Sequence, residues 1–336
     1  MYSRGLLPFV GLMVASSCRA PTSASPGSGP VADIATLTGA AFLGRRAGSV
    51  GGDSAAAFVM ERFATLRLRP AFRVACDSAV RCGRSYVQVF PFQRTVGQNV
   101  AAFVDGMDST LRTEYIVIGA HFDGQSPENA SDPQHGFVMR PGADDNASGT
   151  AGMLALARRF ANRPIRRSIL FVGFDAEEEG LCGSRAFVAN PPVPRDEMAL
   201  MVNLDMIGHL RRDRVLVEGI AVHSSSRLSA ERAAAEVGVR PEFVGDRELS
   251  DHVSFHIRGI EVASVSTGDN PDYHTTEDVA SHVNMSGVTR VIDFTEAFVR
   301  HWDEDHGSTA QAPAFSPGRA SVPSDSSPAT SNNRCS

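Results

Sequence analysis

Residues 115–123 read Tyr-Ile-Val-Ile-Gly-Ala-His-Phe-Asp, an apolar run that ends in two side chains able to bind metal. The uninterrupted run from Tyr115 to Ala120 is typical of a strand covered on both faces, as in parallel sheets. His121 and Asp123 follow at its carboxyl end. Because parallel strands present their carboxyl ends at one edge of a sheet, side chains from distant segments can meet there. The segment therefore indicates an α/β protein with a functional site at that edge.

Four more polar motifs follow apolar runs or lie in loops that can return to the same edge. They are Asp144-Asp145-Asn146, Glu177-Glu178-Glu179, Asn203-Leu204-Asp205 and Tyr273-His274-Thr275. Each alone is weak evidence, because a helix-capping acid or a solvated run of glutamates is ordinary. Asp205 is stronger evidence for a metal site, because a lone carboxylate in an apolar strand needs a cation or a rich set of hydrogen bonds. Together the five motifs predict a metal site.

Strands and helices alternate through the rest of the chain. Apolar or alternating runs predict strands at residues 86–92, 99–104, 169–174, 200–206, 215–217 and 260–265, with a turn at 95–97. Helical patterns cover residues 55–66 (N-capped at 52–54), 149–160, 184–188, 226–237 and 286–302. This alternation predicts a single α/β domain with a mixed, largely parallel central sheet flanked by helices.

The residue types in the motifs suit zinc. Imidazole nitrogens and carboxylate oxygens bind zinc in catalytic sites, whereas a structural site would favour cysteines. A carboxylate can bridge two cations, and Asp144 and Asp145 offer two adjacent carboxylates. Adjacent acids such as Glu177 and Glu178 can divide the work, one binding metal and its neighbour handling a proton. Asp123 is placed to hold the second ring nitrogen of His121.

Both ends of the chain differ in composition from its middle. Residues 1–30 contain an apolar stretch after Arg4, which predicts a signal peptide. The alternative is a lipoprotein signal in which a lipidated Cys18 gives the only membrane attachment, followed by a flexible tether. Residues 31–305 form the predicted domain, and the Ser/Pro-rich residues 306–336 are predicted to be disordered. The expected location is extracytoplasmic: secreted, periplasmic or lipid-anchored to the bacterial envelope.

The net charge limits the kinds of binding partner to expect, and the cysteines bear on the redox state of the protein's compartment. The formal net charge is -6, so no nucleic-acid partner is indicated. The chain has five cysteines, of which Cys76 and Cys82 flank a short loop and could pair in an oxidising compartment. Cys182 and Cys335 have no evident partner in the sequence.

The motifs, taken in order, resemble the secreted di-zinc aminopeptidases, which are related to glutamate carboxypeptidase and glutaminyl cyclase. The matching stretches are His-x-Asp at 121–123 and those at 142–149, 174–184, 203–208, 250–252 and 273–275, which span nearly the whole predicted domain. The resemblance implies a zinc-peptidase α/β/α sandwich, two Zn²⁺ per chain, and peptide or protein N-termini as substrates.

The resemblance also implies a role for individual residues. Asp145 would bridge the two zinc ions, with His121 and Asp205 completing one site and Glu178 and His274 the other. Glu177 would be the general base that activates a water shared by the two ions. Two further assignments are Tyr273 as hydroxyl donor to the developing oxyanion and Asp251-His252 as lining of the pocket rather than ligands.

Three other readings remain. A glutaminyl cyclase would need one zinc ion, and a carboxypeptidase would need cationic pocket residues such as Arg140, Arg211 or Arg212. A non-catalytic binding domain of the same fold would be expected to lack the ligands. The specificity pocket is expected to come from loops at 125–140 and 241–256, so the sequence does not indicate the preferred N-terminal residue or the peptide length. The oligomeric state and the physiological metal are not indicated either.

Overall fold

The structure is a computed structural model that describes residues 29–74, 83–126, 138–221, 224–245, 250–308 and 335. Cys18, Cys76, Cys82, and most of the predicted signal and tail lie outside the described residues. Within these ranges, no helix is both long and apolar enough to cross a membrane. The division into leader, domain and tail therefore stays a prediction.

Eleven strands are present among the described residues. They are β1 (Arg69–Pro70), β2 (Phe72–Arg73), β3 (Arg84–Ser85), β4 (Val87–Phe92), β5 (Thr95–Val104), β6 (Tyr115–His121), β7 (Ser168–Phe174), β8 (Met198–Leu204), β9 (Arg214–Glu218), β10 (Arg240–Val244) and β11 (Val262–Ser266). Seven α-helices accompany them: α1 (Pro30–Leu37), α2 (Val50–Thr65), α3 (Gly149–Asn162), α4 (Cys182–Ala189), α5 (Ser225–Val237), α6 (His252–His256) and α7 (Met285–Asp305).

The central sheet has the order β1-β5-β7-β6-β8-β11-β9-β10, with β4 paired to β5. Its four middle strands, β7, β6, β8 and β11, run parallel to one another. Strands β5 and β9 flank this block in the antiparallel direction. All seven residues of β7 and of β8 are buried, as expected for strands covered on both faces. The carboxyl ends of β6, β7 and β8 consequently lie side by side.

Helices cover both faces of the sheet. Helices α1, α2, α3, α5 and α7 pack on one face around an aliphatic and aromatic core. On the other face, α4 and α6 contribute Phe187 and Phe255, which pack against Phe174 of β7 with ring centroids 5.8 and 6.0 Å away. Edge-to-face aromatic contacts of this kind stabilise by roughly 1 kcal/mol beyond burial. The predicted single-domain α/β/α fold is confirmed.

Several element boundaries differ from the sequence-based prediction. Strand β8 ends at Leu204, so Asp205 follows the strand and does not lie within it as predicted. Helix α2 and strand β5 differ for reasons that involve glycine. Helix α2 begins at Val50 and is capped by Ser49, whose hydroxyl accepts a hydrogen bond from the Gly52 N–H at 3.3 Å. The sequence predicts a later start because residues 52–54 resemble an N-cap. A Cβ would collide with the backbone carbonyl of Phe42 at position 51 and with that of Arg46 at position 52, so only glycine fits at these two helix positions.

The second difference that involves glycine concerns strand β5. A turn was predicted at residues 95–97, but β5 already begins at Thr95 and pairs with Phe92 of β4. Gly97 lies within the strand against the ring of Phe90, where a side chain would not fit. A glycine that looked like a turn signal therefore serves close packing instead.

A disulfide joins Cys182 at the start of α4 to Cys335. The sequence gives neither cysteine an evident partner, and for this pair that interpretation is wrong. The two residues are 153 positions apart. Pairing over such a separation depends on the path of the folded chain, which cysteine spacing does not contain.

Candidate active site

The predicted ligand residues converge at the carboxyl edge of the sheet. His121 is the last residue of β6, Glu177 and Glu178 follow β7, and Asp205 follows β8 directly. Asp145 comes from the turn before α3, and His274 from the loop after β11. Polar side-chain atoms of His121, Asp205 and the predicted base Glu177 lie within 4.8 Å of one another, and so do those of Asp145, Glu178 and His274. The structure thus brings the five predicted ligands, together with the predicted base Glu177, into two adjoining groups.

Asp145 lies between these two groups. Its Oδ1 is 3.3 Å from Nε2 of His121, and its Oδ2 is 2.9 Å from Nε2 of His274. The same His121 nitrogen is 3.4 Å from Oδ1 of Asp205, and the same His274 nitrogen is 3.4 Å from Oε2 of Glu178. One carboxylate therefore presents a different oxygen to each group, which is the geometry that a bridging ligand requires.

The residues present fit zinc. Among the described residues, the buried atoms of the site that make no hydrogen bond include Oε1 of Glu178, Oδ1 of Asp205 and Nε2 of His274. Leaving such atoms unsatisfied is costly unless another partner binds them. Imidazole and carboxylate donors about 2 Å from a shared ion would be roughly 3–4 Å apart, close to the spacing within each group. The donor set suits a divalent cation at each group.

Excess negative charge dominates the electrostatics of the site. Burial raises the pKa of Glu177 well above its ordinary range, and that of Glu178 to about 7. Burial also works to lower the pKa of both histidines, but neighbouring carboxylates outweigh it. They hold the pKa of His121 well above its usual value and raise that of His274 to about 9. The two glutamates and the two imidazoles therefore hold protons more tightly than usual, whereas His121 and His274 lower the pKa of Asp145.

Asp123 fixes the acidic loop as well as facing His121. Its carboxylate accepts hydrogen bonds from the backbone N–H groups of Glu177 at 3.1 Å and Glu178 at 3.3 Å. Its Oδ1 is 3.5 Å from Nδ1 of His121. The predicted contact with the imidazole is present as a close approach, and the contact with the acidic loop is an addition that the sequence did not reveal.

Two further residues that sequence reasoning missed hold the Asp145 turn. The buried guanidinium of Arg45 donates to the backbone carbonyls of Phe122 at 2.8 Å and Gly142 at 2.8 Å. The Asp278 carboxylate accepts from the backbone N–H groups of Asp144 at 2.7 Å and Asp145 at 3.0 Å. Neither residue belongs to a motif with a recognisable spacing, so no sequence signal marked them.

Asp144 and Asp145 have different surroundings, although they are adjacent. The Asp144 carboxylate accepts hydrogen bonds from the Gly208 N–H at 2.6 Å and from Nδ2 of Asn270 at 2.6 Å. It belongs to neither ligand group and joins its own turn to the loops that carry Gly208 and Asn270. This is consistent with Asp145, rather than Asp144, as the predicted bridge.

Several loop residues that carry the site adopt left-handed backbone conformations. They are Ala176 (φ 56°), Met206 (φ 55°) and His274 itself (φ 58°). Such conformations are unfavourable for residues with a Cβ and persist where the surrounding structure imposes them, often at functional sites. The backbone strain thus coincides with the positions from which Glu177, Asp205 and His274 project.

The remaining predicted site residues differ in how closely they approach the ligands. Tyr273 is 42% exposed and stacks on His274, with ring centroids 3.6 Å apart. His252 lines the cavity beside the ligand groups, as predicted. Asp251 is buried beneath it, and burial raises its pKa to about 7. Arg140 borders a smaller cleft next to Glu178 and His274, whereas Arg211 and Arg212 are exposed and line neither of these two cavities.

A mixed sheet with imidazoles and carboxylates gathered at the carboxyl ends of its parallel strands defines an α/β metallohydrolase. The profile of peptidase family M28 matches residues 99–299, and the chain belongs to this family. The family predicted from the motifs is thereby confirmed.

A named relative agrees with this membership. Aminopeptidase YwaD of Bacillus subtilis (strain 168) is 32% identical over 210 residues, covering 56% of this chain and 45% of that protein. The match thus spans less than half the length of that relative.

Solved structures of two different enzymes share the fold. BSAP, a zinc aminopeptidase from Bacillus subtilis, superposes with a TM-score of 0.65 at 18% identity, covering 85% of this chain and 96% of that chain. Glutaminyl cyclase from Bacteroides thetaiotaomicron, bound to N-acetylhistamine, gives a TM-score of 0.64 at 17% identity, covering 81% and 96%. At these identities the likeness concerns the fold alone.

Proposed function

We propose that the protein is a zinc-dependent aminopeptidase that binds two Zn²⁺ per chain and hydrolyses the N-terminal peptide bond of peptides or proteins. The observation that carries the proposal is the position of Asp145, which presents one oxygen to His121 and the other to His274. A one-zinc enzyme would not need two complete ligand groups joined by one carboxylate.

Glu177 is the group that moves the proton. Zinc, when bound, supplies Lewis acidity towards water and towards the carbonyl group of the scissile bond. The Glu177 carboxylate accepts the proton of the attacking water as the C–O bond forms. It then delivers that proton to the leaving nitrogen as the C–N bond breaks. A base in this role contributes typically ~10²–10⁴-fold to the rate.

Tyr273 and the surrounding acids interact with different parts of the substrate: the scissile carbonyl group and the free α-amino group. Burial and the neighbouring carboxylates raise the pKa of Tyr273, so its hydroxyl keeps its proton. The hydroxyl can therefore donate a hydrogen bond to the developing oxyanion. The free α-amino group of the substrate is cationic, and the carboxylates that crowd the site favour it. This preference for a charged terminus distinguishes an aminopeptidase from an endopeptidase.

The test is hydrolysis of aminoacyl-p-nitroanilides by the purified protein, combined with an analysis of bound zinc. We expect close to two zinc ions per chain, and release of nitroaniline from free but not from N-acetylated substrates. Chelation should abolish the activity and added zinc should restore it. About one zinc ion per chain, together with cyclisation of glutaminyl peptides and no hydrolysis, would instead identify a glutaminyl cyclase.

Two neighbouring glutamates provide a matched pair of variants. Glu177→Gln should lower kcat by ~10²-fold or more while zinc content is retained, because the base is lost and its shape is kept. Glu179→Gln is the control, since Glu179 points to Arg46 at 3.0 Å and belongs to neither ligand group. Equal activity in both variants would refute the assignment of Glu177 as the base.

Peptides with blocked ends separate the remaining readings. A carboxypeptidase that uses Arg140 to hold a terminal carboxylate would cleave N-acetylated peptides and spare C-terminal amides. An aminopeptidase has the opposite preference. A binding domain would bind zinc or peptide without cleaving either substrate.

We also propose that the protein is extracytoplasmic. The Cys182–Cys335 disulfide supports this location, because disulfides persist mainly in oxidising compartments. Fractionation of the native host, with fatty-acid labelling of the wild-type protein and of a Cys18→Ser variant, tests the location and chooses between lipidation and simple cleavage. Cytoplasmic recovery of the processed or unprocessed chain would contradict the proposal.

A further inference from the structure

The active-site cavity extends from the ligand groups towards strands β9 and β11. It has a volume of about 560 Å³, with the open solvent at its mouth included. Its extension, here called the polar pocket, is formed by Met206, Glu218, Ser250, Ser264, Ser266 and Asp269. The same cavity is lined by Glu177 and Asp205, so any group in the polar pocket lies next to the proposed reaction site.

Strand register explains why this pocket is polar. Ser264 of β11 lies directly opposite Glu218 of β9, and opposite residues of an antiparallel pair point to the same face of the sheet. Ser266 is two residues further along and shares that face. Val217 and Val265 alternate with them, point to the other face and are fully buried in the core. The pocket floor is therefore one carboxylate beside two hydroxyls.

The chemistry of the lining favours a hydrogen-bonding guest with positive charge. Among the described residues that line the cavity, none is an arginine, and Met206 has the only long aliphatic side chain. Glu218 is 5% exposed, while Asp269 stands exposed at the rim. An aliphatic guest would cover the carboxylate and the hydroxyls without offering them a donor, at a cost in free energy.

The hydroxyl groups are already oriented by the protein. Nδ2 of Asn203 donates to Oγ of Ser250 at 2.8 Å and to Oγ of Ser264 at 3.5 Å, and the Gly268 N–H donates to Oγ of Ser266 at 3.2 Å. Glu218 interacts with other groups of the protein as well. A carboxylate offers about four acceptor sites on its two oxygens, so a further donor can still bind to it.

We propose that, given the aminopeptidase activity proposed above, the polar pocket binds the side chain of the substrate's N-terminal residue and selects lysine and arginine. The α-amino group would lie among the carboxylates at the ligand groups, and the side chain would extend into the adjoining cavity. Its ammonium or guanidinium group would donate to Glu218 at the floor, with the apolar stem along Met206.

Lysine and norleucine provide the cleanest substrate comparison, because their side chains have the same four-carbon stem and differ by the ammonium group. For the wild-type protein, we expect kcat/KM to favour the lysyl p-nitroanilide over the norleucyl p-nitroanilide by ~10–100-fold, as is typical of a hydrogen bond to a charged partner. A ratio of one or less would overturn the inference. Failure to hydrolyse any free aminoacyl substrate would overturn the proposed aminopeptidase function itself.

Charge variants locate the selectivity within the pocket. Glu218→Gln keeps the shape of the side chain and should bring the lysine-to-norleucine ratio close to one. Glu231→Gln, on an exposed face of α5 where Glu231 pairs with Arg227 at 2.9 Å, removes the same charge elsewhere and should keep the wild-type ratio. An unchanged ratio in Glu218→Gln would overturn the inference.

A second variant covers the case in which Glu218→Gln fails to fold. Ser266→Lys places a positive charge at a half-buried position of the pocket and should lower the lysine-to-norleucine ratio by at least ~10-fold. A ratio that stays at its wild-type value in this variant would also overturn the inference.

Discussion

The carboxylate of Asp123 accepts a hydrogen bond from the backbone N–H of Glu177, at 3.1 Å. This contact joins the end of strand β6 to the loop after β7 across two adjacent parallel strands. The same carboxylate lies 3.5 Å from Nδ1 of His121. One buried acid therefore positions a predicted ligand and the predicted base relative to each other.

Replacing Asp123 by asparagine should weaken both zinc binding and catalysis. The amide keeps the size of the side chain but turns an N–H donor towards backbone N–H groups that need an acceptor. We expect zinc affinity and kcat/KM to fall ~10–100-fold, as is typical when the partner of a metal-binding histidine is lost. Competition with a chelator measures the affinity, and Asp53→Asn, at an exposed position of α2, is the control. Values within about twofold of wild type would contradict this role.

Arg45 should be essential for stability although it lies outside every motif. Its guanidinium is fully buried and donates to carbonyls of three separate segments, including Leu37 at 3.0 Å, Phe122 at 2.8 Å and Gly142 at 2.8 Å. Arg45→Met would leave these oxygens without a donor and should lower the free energy of unfolding by about 3 kcal/mol or more.

Urea denaturation of Arg45→Met and Arg46→Met compares the two neighbours. Arg46 is partly exposed and pairs with Glu179. Its loss should cost about 1 kcal/mol or less, as for most surface ion pairs. Equal losses in the two variants would show that the buried donors of Arg45 are not what stabilises the loops.

Asp175 should make stability depend on pH. Burial, aided by the charge of Asp123, raises the pKa of Asp175 from 3.8 to about 8 in the folded state. The folded state then binds this proton more tightly than the unfolded state. The contribution is therefore fully present below about pH 4 and is lost as the pH rises towards 8.

Asp175→Asn removes this titration while keeping an acceptor for the Gln98 N–H, which Asp175 binds at 2.9 Å. Relative to wild type, the free energy of unfolding of the variant should rise by about 1 kcal/mol or more between pH 5 and pH 8. Urea titrations at several pH values measure it. A difference between the two proteins that is independent of pH would contradict the raised pKa.

The Cys182–Cys335 disulfide should stabilise the oxidised protein. Closing so long a segment restricts the unfolded chain, and such bonds typically contribute about 2–4 kcal/mol. We expect reductant to lower the Tm of the wild-type protein and to have no such effect on a Cys182→Ser/Cys335→Ser variant. A Cys76→Ser/Cys82→Ser variant should keep the response to reductant. If the Cys76→Ser/Cys82→Ser variant no longer responded to reductant, the stabilisation would come from Cys76 and Cys82 and not from the Cys182–Cys335 bond.

The features that the sequence predicted well share a local cause. Strands β6, β7 and β8 are recognisable because burial on both faces demands uninterrupted apolar runs. The candidate metal-binding motifs are recognisable because they follow such a run or carry a rare combination of residues, as at 177–179 and 273–275. The predicted ends of helices and strands were less reliable near glycines. Gly51, Gly52 and Gly97 lie where a side chain would not fit, and not in turns.

Loops were predicted less well where a strand or helix lacks a clear sequence pattern. The segment at 241–256 was treated as a loop, but it contains most of strand β10 and the short helix α6. Strand β10 is an edge strand with an exposed face, so its residues lack the apolar run that marks a buried strand. Helix α6 is only five residues long, too short to show helical periodicity.

Local pattern accounts for the class of fold and for the candidate metal-binding motifs, because burial and metal chemistry impose residue types on short segments. The family resemblance adds the role expected of each residue. The folded path of the chain settles the rest: Arg45 beside the Asp145 turn, the Cys182–Cys335 bond, and the meeting of Glu218 with Ser264 and Ser266. Each depends on contacts between residues far apart in the chain. Such contacts follow from strand order and register, which place side chains on one face or the other and have no signature in any single segment.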